Sequence, residues 1–448
     1  MTNSVEFFES WEHTLSSDFQ RDGVAAESDF QWVTEANTIT LDKGNSTLAV
    51  FNDDNTIAGV AVEHEIRLYD VHTSRLIQTL RGHAGTTVSS FAFQPGGRKL
   101  AVCFLRHDAS SFWHLTALWD LDTRPPPSEH LSDAAEAAAA AAFAIVAQHW
   151  PEDHLQSAEL KEKVLKLVSK TQEAINIRDG LLIRGSIPSR PFSRDGRSLL
   201  HLPGGNSVSV LGVDTFTERF QLSGHTDLVT WVETSPDDKL VATCSFDQTV
   251  RIWSMETGDT IRVLEGVTNQ AWRGAFSPDG HLVAVAEGNR LVHIWCIDTG
   301  ELIRTLGGFN GWVRTLAFSP DNRHLTAGAG GGTLRVFDVE SGECEQHWQI
   351  DVKTKPSAEA FLEVHDVQYS ARGDLFFTTT DGRLFGYRAS ENRKWVLVDP
   401  KYQGVIFPHA VLSADGSKLV AALGSSIHPS QQSITSQIEA EWAEEQLY

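Results

Sequence analysis

Eighteen histidines, four cysteines and several adjacent acid pairs are the residues of this 448-residue chain that could do chemistry. The densest local cluster is Glu63-His64-Glu65. Successive residues of a strand point to opposite faces, so on a strand these three cannot close on one ion. No HExxH and no Cys/His spacing of the zinc-binding kinds occurs. There is no GxSxG elbow and no GxxxxGK loop. The glycine run at 327–333, AGAGGGT, falls where two strands must be joined, which favours a turn over a phosphate cradle. The pairs Asp53-Asp54 and Asp237-Asp238 stand in turn sequences, where an aspartate bonds its own backbone, and read as turn formers rather than an acid and a base. The sequence thus offers no catalytic residue, no metal ligand set and no cofactor.

Composition narrows the partners. The chain carries 37 Lys and Arg against 59 Asp and Glu, a formal net charge of −22, with no basic run. Phosphate backbones and anionic lipid surfaces both require clustered cations, so neither nucleic acid nor a membrane surface is expected. No apolar run is long enough to span a bilayer, and the first residues lack a basic stretch followed by an apolar one. Cys103, Cys244, Cys296 and Cys344 form no CxxC pair. Few, scattered, strand-borne thiols suit a reducing compartment, hence cytoplasm or nucleus.

What organises the chain is a repeat. The residue closing the first strand before a turn recurs at Phe51, Phe93, Phe192, Thr234, Phe276, Phe318, Tyr369 and Leu412, at spacings of 42, 99, 42, 42, 42, 51 and 43. Runs such as LVAVA are continuously apolar, as expected of strands buried on both faces. The third strand of most copies ends on an aromatic pair: Tyr69-Asp70, Trp119-Asp120, Trp253-Ser254, Trp295-Cys296, Phe337-Asp338 and Tyr387-Arg388. The period of about 42 and these pairs resemble the WD40 repeat, a four-stranded blade of a β-propeller. The resemblance implies an all-β fold, and the eight anchors imply eight blades, with a seven-bladed ring and a displaced last copy as the alternative. One copy holds the full strand-linking set of that family, His225, Thr243, Asp247 and Trp253, whose role the resemblance makes structural. The second copy keeps His83 and Trp119. The other copies lack the matching histidine and are expected to rely on packing.

The propeller is expected over 28–423, with both termini sharing its last blade and so removing its edge strands. Residues 1–27 form an acidic N-terminal segment and 424–448 a polar acidic tail, helical around Trp442. The spacing of 99 holds an insertion at 124–177, between the third and fourth strands of the second blade. Pro125–Pro127 ends strand character there, and an alanine-rich stretch and a second amphipathic stretch predict a helical hairpin. It either packs on the ring or serves as a docking or oligomerisation element.

In the family that this repeat resembles, partners often dock over the end of the ring built from the loops before the first strands. The residues carried there include Trp272, Arg273, Trp312, Arg314 and His365. Tryptophan and arginine are enriched in binding hot spots, which makes these the candidate contacts. An Arg/Trp patch favours an acidic peptide. The function expected is a non-catalytic protein–protein interaction scaffold in an intracellular multiprotein complex. The alternative is the substrate-recognition subunit of a ubiquitin ligase. Against it, Trp119-Asp120-Leu121-Asp122 has Asp where the cullin-linked WDxR motif has Arg.

Overall fold

A computed structural model describes residues 34–41, 48–82, 86–108, 111–121, 182–350, 362–380, 382–389, 393–398, 409–412, 419–423 and 434–441. Every helix or strand assigned among them is a strand, and no described helix is long and apolar enough to cross a membrane. The strands form seven blades of consecutive antiparallel strands and one further sheet. Blade 1 is Leu48–Phe51, Ile57–Val62, Glu65–Asp70 and Leu76–Arg81. Blade 2 is Thr86–Phe93, Lys99–Asp108, Ser111–Asp120 and Leu182–Arg184. Blade 3 is Ser198–His201, Ser207–Gly212 and Glu218–Ser223, with two isolated bridges, Ser186 to Leu202 and Phe192 to Leu199, where a first strand would stand.

Blade 4 is Val229–Thr234, Leu240–Ser245, Val250–Ser254 and Thr260–Leu264. Blade 5 is Ala271–Phe276, Leu282–Glu287, Val292–Cys296 and Leu302–Leu306. Blade 6 is Val313–Phe318, His324–Ala329, Thr333–Asp338 and Cys344–Gln349. Blade 7 is Val364–Tyr369, Leu375–Thr379, Leu384–Arg388 and Arg393–Val398. Seven of the eight anchor residues are the last residues of first strands; Phe192 is the bridged one. The arrangement is an all-β propeller.

The further sheet pairs the two ends of the chain, in the order His409–Leu412, Leu419–Leu423, Ile434–Glu441, Thr34–Leu41. Residues 434–441 are a strand and not part of a helix around Trp442. The segments 1–27 and 124–177 and His83 lie outside the described residues. The insertion point is nevertheless fixed, since Asp120 ends the third strand of blade 2 and Leu182 begins the fourth.

The core is not one centre but a series of layers, each between two successive blades. Trp231, Cys244 and Ile252 of blade 4 pack with Phe276, Val283 and Trp295 of blade 5. Ile294 and Leu306 of blade 5 pack with Leu316, Leu325 and Phe337 of blade 6. Each blade is thus covered on both faces, which is why its second strand is buried along most of its length.

The turns after first strands fasten neighbours. The Asp238 carboxylate accepts the backbone N–H groups of Arg194 and Asp195 from blade 3, each at 2.8 Å, and the Asn322 side chain accepts that of Asp279 from blade 5 at 3.0 Å. Asp237 Oδ1 accepts Ser235 Oγ at 2.7 Å and the Lys239 N–H at 3.2 Å. The Ser235 bond leads the causes that bring Asp237 down to about 2. These carboxylates therefore act as turn and inter-blade fasteners. Gly258, at φ +78°, shows how close the blades come: a Cβ there would lie 2.6 Å from the Phe220 ring of blade 3.

Candidate functional site

One rim of the propeller is built by two kinds of loop in each blade, the loop entering the first strand and the turn joining the second to the third. Backbone bonds hold them together at equivalent places: Phe246 N–H to Leu228 O, Gly288 to Gln270, Gly330 to Trp312, and Thr380 to Glu363, at 2.9–3.0 Å. The glycine run at 330–332 is the turn in blade 6, and Gly331 and Gly332 have φ of +75° and +70°.

The first strand of blades 2, 4, 5, 6 and 7 carries one extra residue just after this rim. The pairing skips Ser89, Thr230, Trp272, Arg314 and His365. A bulge re-aims the side chain it frees from the ladder. In blades 2 and 4 that side chain bonds back to the backbone, and the Ser89 and Thr230 hydroxyls donate to the carbonyls of Cys103 and Cys244. In blades 5 and 6 it is an aromatic ring or a guanidinium instead.

The result is a row of flat groups crossing four blades. The Phe246 ring of blade 4 meets Trp272 of blade 5 edge-on at 4.9 Å. Trp272 stacks on Trp312 of blade 6 at 6.1 Å and 16°. Arg314 lies 5.1 Å from the Trp312 ring and ion-pairs with Glu363 of blade 7, Nη2 to Oε1 at 3.0 Å. Trp312 is 52% exposed, and Leu228, at the equivalent place in blade 4, is also exposed. The structure thus brings together Trp272, Trp312 and Arg314. His365 is carried to the same rim by the bulge of blade 7. Arg273 is back in the ladder opposite Ala286 and acts on Cys244, whose thiol burial pushes up to about 12. Arg314, one of the two arginines of the patch expected to favour an acidic peptide, is thus already paired with Glu363.

His225, Thr243, Asp247 and Trp253 form one hydrogen-bonded chain in blade 4. His225 Nδ1 lies 2.9 Å from Asp247 Oδ2, His225 Nε2 2.7 Å from Thr243 Oγ1, and Trp253 Nε1 donates to Thr243 Oγ1 at 2.8 Å. An acid, an imidazole and a hydroxyl in this order are the parts of a nucleophilic relay. Here Thr243 is fully buried and its oxygen already accepts the indole N–H, so no substrate can reach it. The chain fastens the loop before the first strand to the second and third strands. Burial alone would raise Asp247, but bonds from Thr249, Thr226 and His225 outweigh it and bring the carboxyl to about 2.

Blade 5 replaces this set with another, which sequence reasoning missed in expecting packing alone. The Glu287 carboxylate accepts the N–H groups of Thr268 and Asn269, each at 3.0 Å, and contacts His293. His293 Nδ1 lies 3.0 Å from Thr305 Oγ1. The available signal was an acid at the end of LVAVAE, where blade 4 has Ser245 and blade 6 Ala329. Glu63 and His64 stand in the turn between two strands, and Glu65 pairs with Arg67 and Arg81, so this cluster does not converge.

A model of the WD domain, G-beta repeat, matches residues 74–110, 216–254 and 300–338. Each match begins at or just before the fourth strand of one blade and runs into the next blade. The chain is a WD40-repeat protein. No match to it is found among curated proteins. In a WD40-repeat protein this offset means that each sequence repeat spans two blades, so successive blades are covalently staggered as well as packed. Such propellers are generally non-catalytic interaction scaffolds that bind proteins or peptides.

Buried imidazoles give the WD40 ring an acid limit. Burial lowers His201 to about 4 against the pull of Glu218, and burial also lowers His225 and His293. An ordinary histidine titrates near 6.5. Between pH 6.5 and 4 the unfolded chain therefore takes up protons that the folded one refuses, and stability falls as pH falls. Urea midpoints measured from pH 7 to 4 are expected to decline, and His201→Gln is expected to flatten that decline.

Proposed function

We propose that this protein is a non-catalytic interaction scaffold inside the cell, and that its partner docks on the row formed by Phe246, Trp272, Trp312 and Arg314. The observation that carries this reading is an exposed tryptophan held rigidly in a stack of rings across neighbouring blades. Pre-ordered aromatic side chains lose little entropy on binding and bury much area. The propeller is read as an eight-bladed ring. Two facts support that count: His409–Leu412 lies between the first strands of blades 1 and 7, and Val411 packs on the apolar core of blade 1. Catalysis is not part of this reading, and the His225–Asp247–Thr243 chain of blade 4 is buried and saturated.

Affinity purification with mass spectrometry tests the proposal. The intact protein is compared with Trp272→Ala/Trp312→Ala and with a form whose residues 126–172 are replaced by a Gly/Ser linker. Loss of a stable partner from the tryptophan variant alone supports docking on the row. Loss from the linker form alone moves docking to the insertion. Cullin components among the captured proteins turn the reading to substrate recognition for a ubiquitin ligase.

A further inference from the structure

The outer corner of blade 6 differs chemically from the same corner in blades 1, 4 and 5. Three positions build that corner. Two are a directly opposed pair, the first residue of the second strand and the last of the third: Ile57 with Asp70, Leu240 with Ser254, Leu282 with Cys296, and His324 with Asp338. The third is the bulged residue near the start of the fourth strand: Ile77, Ile261, Ile303 and Glu345. Blades 1, 4 and 5 place two aliphatic side chains there. Blade 6 has an imidazole and a carboxylate in their stead, beside a second carboxylate.

Burial is inverted as well. Ile77 and Ile261 are 54% and 51% exposed, whereas Glu345 is 6% exposed. A carboxylate drawn inward from a position where the isoleucines of blades 1 and 4 stay outside needs compensating charge. His324 Nε2 lies 2.9 Å from Glu345 Oε2, and one ligand atom each from His324, Asp338 and Glu345 falls within 4.8 Å of the others. Asp338 is held in place by its other oxygen, which accepts the Ser341 N–H at 2.8 Å and its hydroxyl at 2.9 Å. That is the support from a neighbouring group that orients a metal ligand. Arg323 lies across the cluster, Nε 3.3 Å from Asp338 and Nη2 3.6 Å from Glu345. Its side chain is largely exposed and at the surface, so it can leave without unpacking anything.

We propose that His324, Asp338 and Glu345 bind one divalent transition-metal ion of the zinc type, with Arg323 as the counter-charge when the site is empty. One imidazole and two carboxylates are a donor set that zinc accepts, and three protein ligands leave a position for water or for a partner's side chain. The ion would join the second, third and fourth strands of blade 6 at the corner where blades 1, 4 and 5 use aliphatic side chains. The spacing of 324, 338 and 345 matches no local motif because the ligands come from three strands.

The test uses the full-length protein, freed of metal by a chelator and titrated calorimetrically with ZnCl₂, with the metal counted by elemental analysis. The wild type is expected to bind one equivalent. His324→Asn and Glu345→Gln are expected to weaken that site at least about tenfold. Arg323→Gln is expected to strengthen it, because a competing cation is removed, which a merely structural ion-pair network does not predict. Loading the wild type with Co²⁺ gives a readout that does not depend on how the variants fold: a ligand-field absorption that Zn²⁺ displaces. No stoichiometric binding by the wild type, equal affinity in His324→Asn and the wild type, or a Co²⁺ spectrum unchanged from that in buffer overturns the proposal.

Discussion

Replacing Trp253 with alanine is expected to destabilise the propeller by about 3–5 kcal/mol, the usual cost of emptying a large buried aromatic site. Trp253 is 1% exposed and packs with Leu200 and Val210 of blade 3 and Val232 and Val241 of blade 4. Its ring also meets His225 edge-on at 6.1 Å, and Arg251 lies over it. The alanine variant loses the layer between two blades and the indole N–H that Thr243 accepts. Trp253→Phe keeps most of the packing and loses the bond, so a cost of about 1–2 kcal/mol is expected. Urea denaturation followed by circular dichroism separates the two. A phenylalanine variant as unstable as the alanine one would show that the hydrogen-bonded chain, and not the packed layer, holds blades 3 and 4 together.

The double variant Trp272→Ala/Trp312→Ala is expected to weaken partner binding by at least about 2 kcal/mol, roughly 30-fold, while leaving the fold intact. The separation is possible because the two kinds of tryptophan stand in different places. Trp253, Trp295 and Trp348 are fully buried between blades, whereas Trp312 stands half in solvent on the rim. Removing it exposes no core. Trp272 is partly buried against Phe246, so the single variant Trp312→Ala is the cleaner control for stability. Binding is read by titrating the captured partner, and stability by the urea midpoint. Unchanged affinity in the double variant would remove the row from the docking surface and leave the insertion as the candidate.

The two results would bear on different layers of information in the chain. The repeat itself was legible because its physical cause is local. A blade needs an apolar second strand, a turn at a fixed place and an aromatic at the end of the third strand, and each of these is written within about 42 residues. Hence seven of the eight anchors from Phe51 to Leu412 mark strand ends, and the insertion falls between Asp120 and Leu182. Asp237 and Asp238 were legible as turn residues for the same reason, since an aspartate in a turn bonds backbone only a few residues away. That Trp272, Trp312 and Arg314 stand near one rim was what the resemblance to the WD40 repeat implied.

Tertiary structure decided what depends on neighbours far apart in sequence. That Trp272 and Trp312 stack, and that Arg314 pairs with Glu363, depends on bulges that shift the first strands of blades 5 and 6 by one residue and on how adjacent blades are turned. Periodicity cannot report either. The Glu287–His293 fastening of blade 5 and the corner of His324, Asp338 and Glu345 in blade 6 were hidden for a related reason. Their members lie on separate strands and meet only when those strands pair. The sequence alone determined a WD40-like ring and the order of its strands, because short-range patterning sets strand and turn. Which polar side chains meet on that ring was decided by the tertiary structure, because pairing register and the packing of one blade on the next set those distances.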